Sequence, residues 1–126
     1  PKASAGQGLR SVLNSFVTSP RVLTTSGEFN SFDHILKQYA ATEHATVTWV
    51  EPREDACFYV DDLIEKLKDI DLVVISHVFF ATGQILSDLP RLVSAVHQAN
   101  AYILLDVYHS YGVLPLDFTE LNVDFA

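Results

Sequence analysis

The stretch "ILLDVYHSYG", Ile103 to Gly112, decides how this chain is read. Ile103, Leu104 and Leu105 run straight into Asp106, and His109 follows three residues later. A near-continuous apolar run of this kind reads as a β-strand covered on both faces, so Asp106 falls at its carboxyl end. A carboxylate in that position is costly unless something pairs with it. A protonated ring nitrogen or a metal ion would serve, and capping of the following loop is the structural alternative. His109 is placed to bear on the same ligand. Asp106 and His109 are only two metal ligands, however, and no HxxxH or CxxC pattern completes a site.

Working outward, three more runs read as strands: "RVLTT" (21–25), "ATVTWV" (45–50) and "DLVVIS" (71–76), with the quoted strand spanning "AYILLDV" (101–107). "VDFA" (123–126) reads as the start of another. Between the strands lie four one-faced helical patterns: Leu9, Val12, Leu13, Phe16, Val17; Phe32, Ile35, Leu36, Tyr39, Ala40; Val60, Leu63, Ile64, Leu67; and Leu89, Leu92, Val93, Val96. Ser31 and Ser87 read as helix caps, Asp61 and Asp62 as first-turn acids, and Lys66 and Lys68 as cations near a helix C-terminus. Strands alternating with helices predict βαβ units, right-handed crossovers and one α/β unit with a mainly parallel sheet in a three-layer α/β/α arrangement.

The bulk numbers narrow the function classes. The 126 residues carry a formal net charge of −8, with 48% hydrophobic and 19% charged residues. That composition is globular, and without a lysine or arginine cluster it disfavours nucleic-acid binding. No apolar run reaches the roughly 18–20 residues that span a bilayer. The single cysteine, Cys57, excludes an internal disulfide, is read as structural, and points to a reducing, cytoplasmic setting. The first residues, "PKASAGQG", and the last, "NVDFA", read as cuts through a larger protein.

In a parallel sheet, ligands bind outside the carboxyl ends of the strands. The residues there are 25–29, 76–83 and 106–109. "ASAGQGLRS" puts small residues and two glycines before an amphipathic helix, and free backbone N–H groups there attract anions. The stretch lacks a P-loop lysine, and a glycine-rich helix start with no ligand is its plain alternative. In "SGEFNSFDH", Phe29 lies off the helix stripe and suits a lid over a flat ligand, beside Asn30 and Ser31; Phe32 lies on the stripe and reads as core. In "SHVFFATG", Ser76 sits at the strand edge and His77 reads as a satisfied core histidine.

Together these pieces resemble the large domain of fold-type I pyridoxal 5′-phosphate (PLP) enzymes of the class V aminotransferase group, and within it kynureninase-like proteins. "LLDVYHSYGVLPLDFTELNVDFA" is similar to that group's D-x-x-H-x-x-G…P-L-D…VDFA stretch, "SHVFFATGQ" to its S-x-V-x-F-x-T-G-Q segment, and "EFNSFDH" to its F-P-S/T-D loop with one extra residue. The resemblance spans the whole chain, so residues 1–126 are expected to be part of a PLP-binding large domain.

The resemblance implies PLP as cofactor, with Ala5, Gly6 and Gln7 at its phosphate. It implies Phe29 stacked on the ring, Ser31 beside it and Ser76 at its edge. Asp106 would pair with the pyridine nitrogen, and His109 would lie on the phenolic oxygen side. No role for Asp33 follows, since it lies a turn into a helix, and Phe79 stands where the family has histidine. The family's Schiff-base lysine would lie after Ala126, so no catalytic residue is expected within these residues. None of Lys2, Lys37, Lys66 and Lys68 lies at a strand edge beside the site. An amino-acid substrate and a homodimer are likewise implied. A catalytically inactive PLP-fold binding or structural domain, and a metal-dependent α/β hydrolase using Asp106 and His109, are the competing readings.

Overall fold

The structure is a computed structural model and describes residues 2–126. Four strands, β1 (Arg21–Thr25), β2 (Thr46–Val50), β3 (Leu72–Ser76) and β4 (Tyr102–Asp106), form one parallel sheet in the order β2-β1-β3-β4. The chain leaves β1 toward one edge and returns to place β3 on its other side, so the strand order reverses between β1 and β3. Helices α1 (Ala5–Leu13) and α2 (Asn30–Ala41) cover one face. The other is covered by α3 (Val60–Ile64), α4 (Leu89–Gln98) and α5 (Phe118–Leu121). This is the expected three-layer α/β/α arrangement.

Alternation along the strands builds the two cores. Val22, Leu72, Val74 and Leu104 pack with Leu9, Leu13, Phe32, Ile35 and Leu36. Leu23, Val73, Ile75, Ile103 and Leu105 pack with Leu63, Leu92, Val93 and Val96. Every residue of β3 is buried, as its unbroken apolar run requires. Removing one such leucine would cost about 2–5 kcal/mol. At the amino edge, Asp71 pins β1 to β3 by accepting from the Arg21 backbone N–H (2.8 Å) and from its guanidinium (2.8 and 3.0 Å). The carboxyl edge is left to the loops.

The helices are shorter than their apolar stripes. α1 ends at Leu13, where Asn14 caps it and the Ser15 hydroxyl donates to the Val12 carbonyl (2.7 Å), so Val17 is fully exposed instead of lying on the core. α3 ends at Ile64; Lys66 and Lys68 therefore lie beyond the helix, while Leu67 stays buried in the following turn. Asp61 and Asp62 do occupy its first turn.

Two caps differ from expectation. α2 begins one residue before Ser31, with the Phe29 carbonyl accepting from the N–H groups of Phe32 and Asp33 (2.8 and 3.1 Å). Asp88, not Ser87, holds the N-cap position of α4, without a side-chain cap bond because its carboxylate pairs with Arg91 (2.6 Å); Pro90 sits in the first turn, where its missing N–H is harmless. "VDFA" adds one parallel bridge, Leu104 to Phe125, instead of a full strand. Among the described residues no helix is long and apolar enough to cross a membrane.

Candidate cofactor site

Thr25, Ser76 and Asp106 end β1, β3 and β4 at the same edge, and Ser76 and Asp106 are register partners. The carboxyl of Asp106 is only partly buried. Its Oδ1 accepts from the Tyr108 N–H (2.9 Å), a local turn contact, and Oδ2 takes no hydrogen bond from the described residues. The capping role considered for Asp106 is thus real but occupies one oxygen only.

A cavity of about 760 Å³ opens beside it, lined by Asp106, Tyr108, Phe32 and, from the start of α1, Ser4, Ala5 and Gly8. The N-terminus of α1 is capped by Ser4, whose hydroxyl accepts from the Gln7 N–H (3.2 Å). The N–H groups of Ala5 and Gly6 have no partner among the described residues, and the first turn carries no acid. A carboxylate with one free oxygen and a helix start with free donors therefore share one cavity.

The other expected site residues gather in pairs around this edge. Gly6 lies close to α2, since a Cβ on it would stand 4.0 Å from the Ser31 Cβ. Phe29, half-exposed, meets His109 edge-on at 6.3 Å and Phe80 at 5.2 Å. Ser76 is buried, and its hydroxyl donates to Glu28. Gln7 is exposed with its N–H committed to Ser4, and, like Phe29, Ser31, Ser76 and His109, it borders the edge without lining the cavity. Asp33 is ion-paired to Lys37 (2.7 Å), in keeping with a helix role.

The residue that sequence reading missed is Glu28, only 3% exposed. Its Oε1 accepts from the Thr25 hydroxyl (2.7 Å) and its Oε2 from the Ser76 hydroxyl (2.6 Å). Burial pushes the carboxyl up to about 7; those hydrogen bonds pull it down, and the nearby Asp106 charge adds to the rise. A Cβ at Gly27 would stand 2.8 Å from the Phe58 Cζ and 3.1 Å from the Phe79 Cδ1, so glycine lets this loop press inward.

His77 corrects a second expectation. It is buried, but its Nδ1 has no partner, so it is not a satisfied core histidine; burial holds its pKa below the ordinary value. It lines a smaller cavity of about 390 Å³ with Asp88, Asp117 and Glu120.

Residues 5–126 match the aminotransferase class-V family. This chain belongs to that family. Kynureninase from Shouchella clausii (strain KSM-K16) is 43% identical over 67 residues, which is 52% of this chain but 16% of that protein. Among solved structures, the apo cysteine desulfurase of Thermococcus onnurineus NA1 superposes with a TM-score of 0.81 at 21% identity, over 94% of this chain and 30% of that one. A C-DES variant with glycine covalently linked to its PLP cofactor superposes with a TM-score of 0.79 at 26% identity, over 94% and 33%. The chain thus spans about a sixth of the kynureninase and a third of each of these structures.

Within this class-V chain, Phe79 is buried and stacked on Phe58 (4.5 Å), so the residue found where the resemblance led one to expect histidine is a core side chain. Lys2 differs from expectation: it belongs to no strand, yet it lines the larger cavity. Among the described residues, no three of His, Cys, Asp and Glu gather as a metal site, and Asp106 and His109 acquire no third ligand.

Proposed function

We propose that this chain is a segment of a PLP-dependent, kynureninase-like enzyme acting on an amino acid, and that its site is the carboxyl edge of β1, β3 and β4. One observation carries the reading: Asp106, with a free carboxylate oxygen, shares a cavity with the acid-free, donor-rich start of α1. The residues present fit the cofactor. Ala5 and Gly6 offer N–H donors to a phosphate, and a Cβ at Gly8 would meet nothing within 4 Å, so that helix face has room. When bound, PLP supplies an electron sink for a bond broken at the substrate α-carbon.

Asp106 would hold the proton on the pyridine nitrogen, Phe29 would lie against the ring, and His109, packed edge-on to Phe29, would flank it. Gln7 would lie near the phosphate and Ser31 beside the ring. The kynureninase similarity supports a lyase, hydrolase or transferase acting on an amino acid, and the cytoplasmic homodimer belongs to the same reading. A charge-assisted hydrogen bond contributes about 1.5–3 kcal/mol. Asp106→Asn in the full-length protein should therefore weaken PLP binding by about ten- to a hundredfold in a fluorescence titration. Unchanged affinity would remove Asp106 from the site. Absence of any PLP binding by the wild-type protein would end the cofactor reading itself.

A further inference from the structure

Glu28 joins two strands that are far apart in sequence. Thr25 ends β1 and Ser76 ends β3, and the Glu28 carboxyl bridges their hydroxyls at 2.7 and 2.6 Å across the point where strand order reverses. Thr25 Oγ1 also accepts from the Gly27 N–H (3.3 Å), which ties the loop back on itself. The groups facing Glu28 are few. From β1 it meets Thr25, from β3 Ser76, and from β4 the charge of Asp106; Glu51, at the end of β2, is engaged by the neighbouring Ser26 hydroxyl (2.6 Å). No cation among the described residues pairs with it.

A serine hydroxyl has one hydrogen. While Glu28 is ionised, both its oxygens can only accept, so Ser76 must spend that hydrogen on Glu28. When Glu28 is protonated, its own O–H can donate to Ser76 Oγ, and the serine hydrogen is released. The geometry points to Glu28 as a positioning residue: it sets the direction of the Ser76 hydroxyl, and its protonated form frees Ser76 to donate to the cofactor. This rests on the PLP reading above, and it assigns to one buried carboxyl the control of cofactor seating. The proton moves between solvent and Glu28, and nothing else is consumed.

Affinity then follows the protonated fraction of Glu28. With the carboxyl pushed up to about 7, that fraction falls about tenfold between pH 6 and pH 8. Glutamine mimics the protonated form, since its amide can donate to Ser76 while its oxygen accepts from Thr25.

The test is a PLP titration of the full-length apoprotein across this range for wild type, Glu28→Gln and Ser76→Ala. The ratio of wild-type to E28Q dissociation constants should rise about tenfold from pH 6 to pH 8, because titration of PLP itself cancels in the ratio. The ratio of wild-type to S76A dissociation constants should rise likewise, while the stability of S76A still falls as pH rises through the range of the Glu28 carboxyl, which a purely structural Glu28 would not produce. A wild-type to E28Q ratio constant with pH overturns the inference and leaves the cofactor reading standing. A wild-type protein that binds no PLP overturns both. If E28Q does not fold, the ratio of wild-type to S76A dissociation constants decides alone: a rise of about tenfold from pH 6 to pH 8 supports the role, and a ratio constant with pH overturns it.

Discussion

Replacing Glu28 by glutamine should remove a pH dependence from folding stability, with no ligand present. In the folded chain the carboxyl is held at about 7; its ordinary value is 4.5. Each tenfold change in proton affinity is worth about 1.4 kcal/mol. The folded state therefore holds its proton about 3 kcal/mol more tightly than the unfolded chain does.

The sign follows from which state ionises first. Below 4.5 both states are protonated and the group contributes its full stability. Between 4.5 and about 7 the unfolded chain has lost its proton and the folded chain has not, so stability falls as pH rises; above that the loss is complete. Because Glu28 is only 3% exposed, solvent screening takes little from this figure. Urea unfolding of the full-length wild type and E28Q, compared at matched m-values, should show the wild type losing roughly 2–3 kcal/mol relative to the variant between pH 5 and pH 8. A difference between the two that does not change with pH, or that grows in favour of the wild type, would refute the argument.

Other perturbations read different parts of the same edge. Gly27→Ala should destabilise by about 1–3 kcal/mol, because its Cβ meets the stacked Phe58–Phe79 pair, whose rings have nowhere to go. Gly8→Ala, whose Cβ meets nothing and whose position is inside α1, should instead stabilise by up to about 1 kcal/mol in the same urea assay. A destabilised G8A alongside a neutral G27A would contradict both packing claims. His77 is disfavoured as a cation by burial, so its contribution to stability should fall, and the wild type should lose stability relative to His77→Leu, as pH drops below the ordinary histidine value of 6.5. His77→Leu, by removing the orphaned Nδ1, should also be neutral or stabilising at neutral pH. A difference between wild type and variant that does not change with pH would refute the role of His77.

Sheet edges and helix faces were legible because each is a local pattern. The apolar runs at 72–76 and 102–106 announce buried strands, the i, i+3, i+4 stripes announce helices, and the position of Asp106 at a strand end marks the ligand edge without any partner in view. Helix ends were less legible: Val17 continues the stripe of α1 but finds no core to cover, and only packing reveals that.

Sequence by itself determined the α/β class, the strand spans and the candidacy of Asp106. Tertiary structure alone decided that Glu28 is buried. Nothing in "SGEFNS" distinguishes a solvated loop glutamate from one clamped between strands, because its partner Ser76 lies 48 residues away and becomes its neighbour only when β3 is laid beside β1. The same holds for His77, which looks like any core histidine until the fold leaves its Nδ1 with no partner. Burial and proton affinity are properties of what the chain brings together, and those contacts have no local signature.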